Sequence, residues 1–530
     1  MAKEMAEDQG ITRNNLHRGI YLASLCLIGI SLPSSRWLLT VSELILAANW
    51  LAEGNFRTKF SRLREDRAAI AFILIYLLNV IGLTWSADPG YGFSHDLLHK
   101  LPTLFMPLIV ATTALPGRKM TRMILLLFIS SVLVVTFIGF LRTQLQPAIS
   151  FREASPFIPG IYLGLMVVIA AFQLLMLGWE LRAKRVYFII SLILSAWLIF
   201  FLFYLRALSG VAAFIAAMIW LILTIASRSE RYLLKIAVPA GFFAVAAVVL
   251  WPLAGIYRDT HAENPVALQN LEPYSSEGTP YIHDTANIIR ENGNLVYIYI
   301  ADGELREVWN ERSSLDYDSS NLAGLELRAT LFRYMSSLGL RKDAEGFIRL
   351  TDRDIAAVER GVTNHLNIDR PGFYVRAYEE MMSLYLYRKS SGRMTDWGSL
   401  TKRIDLWKAS WEAFMVRPLL GWGTGGILKA VEHGLQKNNS ELSGLNMKPH
   451  SQYLFILNTL GAAGLIITIM LYAFFVVEKK AHKSLMFILF LIVFLVAFTG
   501  NNVLESQPGQ DLFVFFSMIY GYFSPPADLR

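Results

Sequence analysis

An interruption constrains this chain more than any other feature. Apolar stretches near 19–33, 36–52, 68–84, 101–116, 122–141, 157–179, 186–204, 208–226 and 233–254 are followed by a long polar block. Only then come three more, near 451–477, 484–500 and 509–523. A helix needs about 20 apolar residues to cross the hydrocarbon core of a bilayer, and backbone in that core must satisfy its own hydrogen bonds. The pattern predicts an all-α polytopic membrane protein with about 12 transmembrane helices and one large mixed loop. Composition agrees: 17% of residues are charged, where a soluble chain carries roughly 25%. The expected organisation is an N-terminal segment 1–18, spans over 19–254, a loop over 255–450, spans over 451–523 and a tail 524–530. The run after Arg18 lacks a small-residue cleavage site and reads as an uncleaved first helix. Cys26 lies inside that span, so no intrachain disulfide is possible.

Positive charge orients the spans. Alternate short loops carry Arg57, Lys59, Arg62, Arg64 and Arg67; Arg118, Lys119 and Arg122; Arg182, Lys184 and Arg185; Arg228, Arg231 and Lys235; and Lys479, Lys480 and Lys483. The loops between them hold only Arg36, Lys100, Arg142, Arg152 and Arg206. Both termini are therefore expected in the cytoplasm and the block 255–450 outside it, which in a bacterial inner membrane means the periplasm. The net charge of +7 is mostly this topology signal. Within 255–450 there are 23 Lys and Arg against 26 Asp and Glu, so the block offers no basic nucleic-acid surface.

Inside the block, Asn294–Ile300 resembles a strand entering a tight turn at Ala301-Asp-Gly303. Leu322–Leu338 reads as an amphipathic helix. Thr351-Asp-Arg-Asp354 looks like a cap ahead of a helix over Ile355–Val362. A stronger helix is expected over Leu400–Val416, ended by Arg417-Pro418, with Leu406, Ala409, Trp411 and Phe414 needing burial. Asp316-Tyr-Asp318 and Asp352-Arg-Asp354 read as turns or caps rather than metal sites. A transporter or flippase is the competing class. It seldom needs a large insert so late, and no half-to-half repeat is visible.

The end of the block and the span after it carry a set of motifs in one order. Arg403 and Trp407 share a helix; Pro418, Gly421 and Gly423 make a turn; His450 and Tyr453 open the next span; Gly461, Gly464 and Leu465 follow. This resembles the O-antigen ligase and polymerase superfamily, as do the tail Asn502–Gln507 and the stretch Tyr297–Gly361. Ser451 stands where the family usually has Asn. Ser155–Tyr162 lacks the His and Arg associated with the start of that span.

The resemblance implies a GT-C-like membrane transferase. Such an enzyme moves a glycan from undecaprenyl pyrophosphate to a hydroxyl: lipid A–core sugar in a ligase, the next repeat unit in a polymerase, or a protein hydroxyl in an O-oligosaccharyltransferase. It implies lipid-embedded donor and acceptor partners and no cofactor, because the donor brings its own leaving group. Leaving pyrophosphate needs fixed cations, which arginine supplies as a planar, permanently charged fork. An attacking hydroxyl needs a base near neutral pH, which suits histidine. His450 is the candidate base. Arg403 is the first phosphate candidate and Arg206 the second. An arginine between two apolar spans costs roughly 2.5 kcal/mol or more at membrane depth and usually has a task. Trp407, Gly421, Gly423, Tyr453, Arg142, Arg152, Glu505 and Gln507 are expected around the substrate, the glycine turn through backbone amides and the last two through sugar hydroxyls.

Overall fold

The computed structural model describes residues 2–145, 154–228, 230, 232–392 and 398–523. All twelve predicted spans are helical. Among the described residues, eight helices are long and apolar enough to cross a membrane: those ending at Ser34, Trp85, Leu145, Glu180, Tyr204, Arg228, His261 and Glu478. Arg36–Glu53, Pro102–Thr112, Leu485–Gly500 and Gln507–Met518 fall short of that standard. Gln507–Met518 has Pro508 through Met518 buried without a break. A helix enclosed by protein on every side does not need the full span of apolar surface that lipid demands. The chain is an all-α polytopic membrane protein.

Local chemistry marks the ends of these helices. Ser35 accepts a bond from the amide of Leu38, Asp66 from that of Ala69, and Ser484 from that of Phe487. Each satisfies one of the amides that a helix start leaves without an intrahelical partner.

The chain divides into two compact units. One comprises 1–142, 151–228 and 403–530; the other comprises 143–150 and 229–402. The expected loop 255–450 is thus split near Arg403. Its C-terminal part joins the first unit because Leu406 and Ala409 pack with Ile427, Val431, Leu435 and with Phe455 of the Gln452–Glu478 helix.

The second unit has its own core, in which Val296, Leu305, Trp309, Tyr317, Leu331 and Phe347 are buried. Helix Tyr232–His261 belongs to it. Asp259 takes Arg370 at 2.6 Å, and Glu263 takes Tyr385 at 2.6 Å and Lys389 at 2.7 Å. Expected elements appear in shifted form. The strand at 294–300 shrinks to Asn294–Leu295 paired antiparallel with Arg290–Glu291. The turn expected at Asp302 is instead the start of helix Asp302–Arg312, with Asp302 and Glu304 in the first turn where the helix dipole favours acids. The amphipathic helix runs Leu327–Ser337. Thr351 and Asp354 form a capping box at the head of Asp352–Glu359. Asp318 pairs with Arg306, Asp352 with Arg312 at 2.7 Å, and Asp354 accepts from Tyr334.

Candidate active site

The glycine-rich turn explains the local architecture. Gly461 has φ +70° and interrupts the Gln452–Glu478 helix. A side chain there would lie 2.0 Å from the Leu419 carbonyl oxygen. The break leaves carbonyls before it and amides after it without helical partners, and the turn takes them up. Trp422 and Gly423 donate to the carbonyls of Asn458 and Thr459 at 2.7 and 2.8 Å. In return Ala462 and Ala463 donate to those of Pro418 and Leu419 at 2.8 and 3.2 Å. A broken helix is tolerated at membrane depth when protein groups supply such partners.

The rest of the turn is also engaged. Thr424 donates to the Gly82 carbonyl, Gly425 to Asp96 Oδ2 at 3.0 Å, Gly421 to Arg417 and Gly426 to Gly423. Every amide from Gly421 to Gly426 is spent inside the protein. Gly421 and Gly423 therefore have a packing role here, with φ +68° and +80° and no room for a Cβ. Backbone amides for a phosphate are not available from this turn as it stands.

His450 lies beyond the Ile427–Lys437 helix, in the last residues before the span helix Gln452–Glu478. Its φ is +49°, a left-handed conformation that a non-glycine residue holds at a cost of about 1–3 kcal/mol and that concentrates at functional sites. Its carbonyl accepts a long hydrogen bond from the Trp407 indole at 3.4 Å. Neither ring nitrogen has a hydrogen-bond partner among the described residues, so the imidazole is open to a substrate. Burial, helped by the charges of Arg403 and Lys448, holds its pKa below the usual histidine value. The imidazole is thus biased to the neutral form that accepts a proton.

Arg403 and Trp407 lie one turn apart on the Ser399–Val416 helix and face the same way. Arg403 Nη2 reaches Asn501 Oδ1 at 3.4 Å, and Asn501 Nδ2 donates to Ser209 Oγ at 2.8 Å. Asn501 therefore ties the Arg403 helix to the turn that carries Arg206, three residues before Ser209. Arg206 also has a left-handed backbone, with φ +53°. Two of the three candidate catalytic residues thus sit in strained backbone. Ser451, in the family's asparagine position, donates to the Phe498 carbonyl at 3.3 Å and holds the same corner.

The remaining candidates divide. Glu505 is buried, and its two oxygens take Lys100 at 2.6 Å and Gln452 at 2.9 Å. It serves a buried ion pair rather than open sugar hydroxyls. The Tyr453 hydroxyl donates to the Leu495 carbonyl at 3.0 Å, and Gln507 Nε2 donates to Thr40 at 2.7 Å. Arg142 is exposed near the end of the Arg118–Leu145 helix, and among the described residues no contact ties it to His450. Arg152 lies outside the described residues.

Sequence reasoning missed Lys448, Asp96, Lys100 and Asn501. Lys448 stands over Tyr91 and Phe455, at 5.7 and 5.8 Å from the ring centroids. Burial disfavours its charge, but Glu505, Tyr91 and Asp96 outweigh that and hold its pKa above the usual lysine value. Burial raises the pKa of Asp96 against the pull of Lys100 and the Gly425 amide. Lys448 was findable, since it stands two residues before His450. The others pair across hundreds of residues and leave no trace in a single sequence.

The site thus gathers a neutral-biased histidine, an arginine and a lysine that stays charged, at the head of a membrane helix. No curated protein matches the chain. Its segment 371–469 matches the family model for O-Antigen ligase, a family of membrane ligases and polymerases that transfer glycans. The motif resemblance is upheld over that stretch, where residues 371–469 are similar to the O-antigen ligase family.

Proposed function

We propose that this protein transfers a glycan from undecaprenyl pyrophosphate to a lipid A–core hydroxyl at the periplasmic face of the inner membrane. The acceptor oxygen attacks the anomeric carbon while the sugar–phosphate bond breaks, inverting that carbon. The hydroxyl proton passes to His450, and undecaprenyl pyrophosphate leaves with the bonding electrons. Arg403 and Arg206 hold the departing pyrophosphate, and Lys448 adds a third positive charge. Trp407 orients His450 through its carbonyl. No nucleotide or metal is called for, because the donor is already activated and cationic side chains receive the developing charge.

The observation that carries this reading is His450 itself. Its strained backbone, open ring nitrogens and neutral bias beside two cations suit a general base next to an anion site. The test is the lipid-linked glycan that accumulates in the native host bearing His450→Ala. Long polymer left on the carrier, beside bare lipid A–core, is expected. Single repeat units on the carrier would make the protein a polymerase instead. Normal glycan transfer would remove the mechanism altogether.

A further inference from the structure

A second polar cleft lies in the first unit, at the helix ends that carry the dense basic loops. It has a volume of about 290 Å³ and is lined by residues that include Arg18, Tyr21, Lys59, Arg62 and Thr113. That size is near the lower end of ligand pockets, about right for a headgroup rather than a glycan. Lys59 is buried, donates to the Trp50 carbonyl at 2.6 Å and pairs with Glu53 at 2.7 Å. Arg62 donates to the Thr112 carbonyl at 3.1 Å. Three cations face one carboxylate, so the cleft keeps an excess of positive charge.

Two hydroxyls lining this cleft, Tyr21 OH and Thr113 Oγ1, are buried with no hydrogen-bond partner among the described residues. Buried polar groups are nearly always paired, and unpaired ones call for a missing partner. An oxyanion would accept from both hydroxyls and from the guanidinium groups. The surroundings point to where such an anion comes from. The adjoining helix Phe56–Glu65 carries Arg57, Lys59, Arg62 and Arg64, yet exposes Phe56 and Phe60 at 42% and 51%. A basic helix with bare aromatic rings lies naturally along a membrane interface. Its rings would meet acyl chains while its charges meet headgroups.

We propose that this cleft binds the phosphate of an anionic lipid headgroup, on the face of the membrane opposite the candidate active site. It is a second anion site, independent of the transfer reaction proposed above. The probes are phosphatidylglycerol, phosphatidylcholine and inorganic phosphate, each added to the purified full-length protein in detergent, with the melting temperature as readout. Phosphatidylglycerol is expected to raise it and phosphatidylcholine to leave it unchanged. Arg18→Gln/Arg62→Gln should weaken the phosphatidylglycerol response by at least about tenfold in midpoint concentration. Arg118→Gln/Lys119→Gln, which removes exposed charge elsewhere in the basic loops, should retain it. Arg18→Gln alone alters an exposed side chain and guards against a folding defect, and Arg18→Lys/Arg62→Lys should recover part of the response. An equal rise with inorganic phosphate, lost in the same double variant, would assign the site to a soluble phosphate instead of a lipid. An unaltered response in Arg18→Gln/Arg62→Gln, or no preference for phosphatidylglycerol, would overturn the proposal.

Discussion

Each unit of this protein holds a cluster of buried charge, and the two are built on opposite principles. In the second unit, Glu291 is fully buried and closed. It accepts from Arg333 at 2.6 Å, from Asn364 at 2.7 Å and from Tyr378 at 2.5 Å. Asn292 adds a further bond to Asn364. Nothing there is left for a ligand, and the backbone around it is pinned. In the first unit, His450 keeps both ring nitrogens free of hydrogen bonds among the described residues, in strained backbone, beside cations that disfavour its own charge. Buried charge that only stabilises a fold is satisfied on all sides. His450, the proposed base, differs in the hydrogen-bonding capacity it leaves unspent and not in backbone strain, since Asn292 beside Glu291 is also left-handed at φ +48°.

The sharpest way to break this contrast is to truncate one residue in each cluster. His450→Ala should lower transfer by about 10²–10⁴-fold, the usual contribution of a general base, with the unfolding midpoint of the purified protein unchanged. Glu291→Gln should do the reverse. It removes the charge that Glu291 presents to Arg333, a loss of about 1.5–3 kcal/mol for hydrogen bonds to a charged group, readable as a lowered unfolding midpoint, while transfer per folded molecule stays near normal. If His450→Ala unfolds the protein, or Glu291→Gln abolishes transfer by folded molecules, the division of roles fails.

Lys342 sharpens the comparison from a different side. It is buried in the second unit with a long side-chain bond, 3.3 Å to the Leu295 carbonyl, and burial pushes its pKa down to about 7, against a smaller opposing effect of Asp343. The folded state therefore binds fewer protons than the unfolded state between about pH 7 and the usual lysine value. Stability rises with pH across that window and levels off below it. The slope is at most about 1.4 kcal/mol per pH unit. Lys342→Met should flatten the rise and stabilise the protein near pH 7. Denaturant unfolding at pH 7 and 9 measures both effects, and an unchanged slope in the variant would assign the rise to another group.

The sequence showed the helical framework more clearly than the site. All twelve span positions are helical because bilayer-length apolar runs admit little else. The second unit was harder. Helix Gly372–Lys389 went unread because its two sides face different neighbours, the unit's core and helix Tyr232–His261, so no single apolar stripe stands out. Helix Ile427–Lys437 was readable, with Ile427, Ala430, Val431 and Leu435 at helical spacing, but the glycines just before it drew attention to the turn. The same glycines suggested phosphate-cradling amides. The structure spends the Trp422 and Gly423 amides on a broken helix further along the chain and the rest on Gly82, Asp96 and the turn itself, uses that spacing alone does not reveal. Arg403, Trp407 and His450 were legible because they are close in sequence. Asn501, which joins Arg403 to the Ser209 turn, was not.

The subtlest effect concerns how the open cluster sets its own pH range. After burial, the charges of Arg403 and Lys448 hold His450 below its usual pKa. As a base it must be neutral, so the acid limb of kcat/KM against pH should lie below the range of an unperturbed histidine. Removing a neighbouring cation relieves the disfavoured imidazolium, and the limb should move to higher pH. Lys448→Met tests this more cleanly than Arg403→Gln, because Arg403 is also placed on the pyrophosphate. The measurement is transfer in proteoliposomes over pH 5–8, with kcat and KM separated. A limb displaced upward in Lys448→Met ties the titration to His450 through charge. A limb that stays put while kcat/KM falls uniformly would mean that Lys448 acts on the donor alone and that another group carries the acid limb.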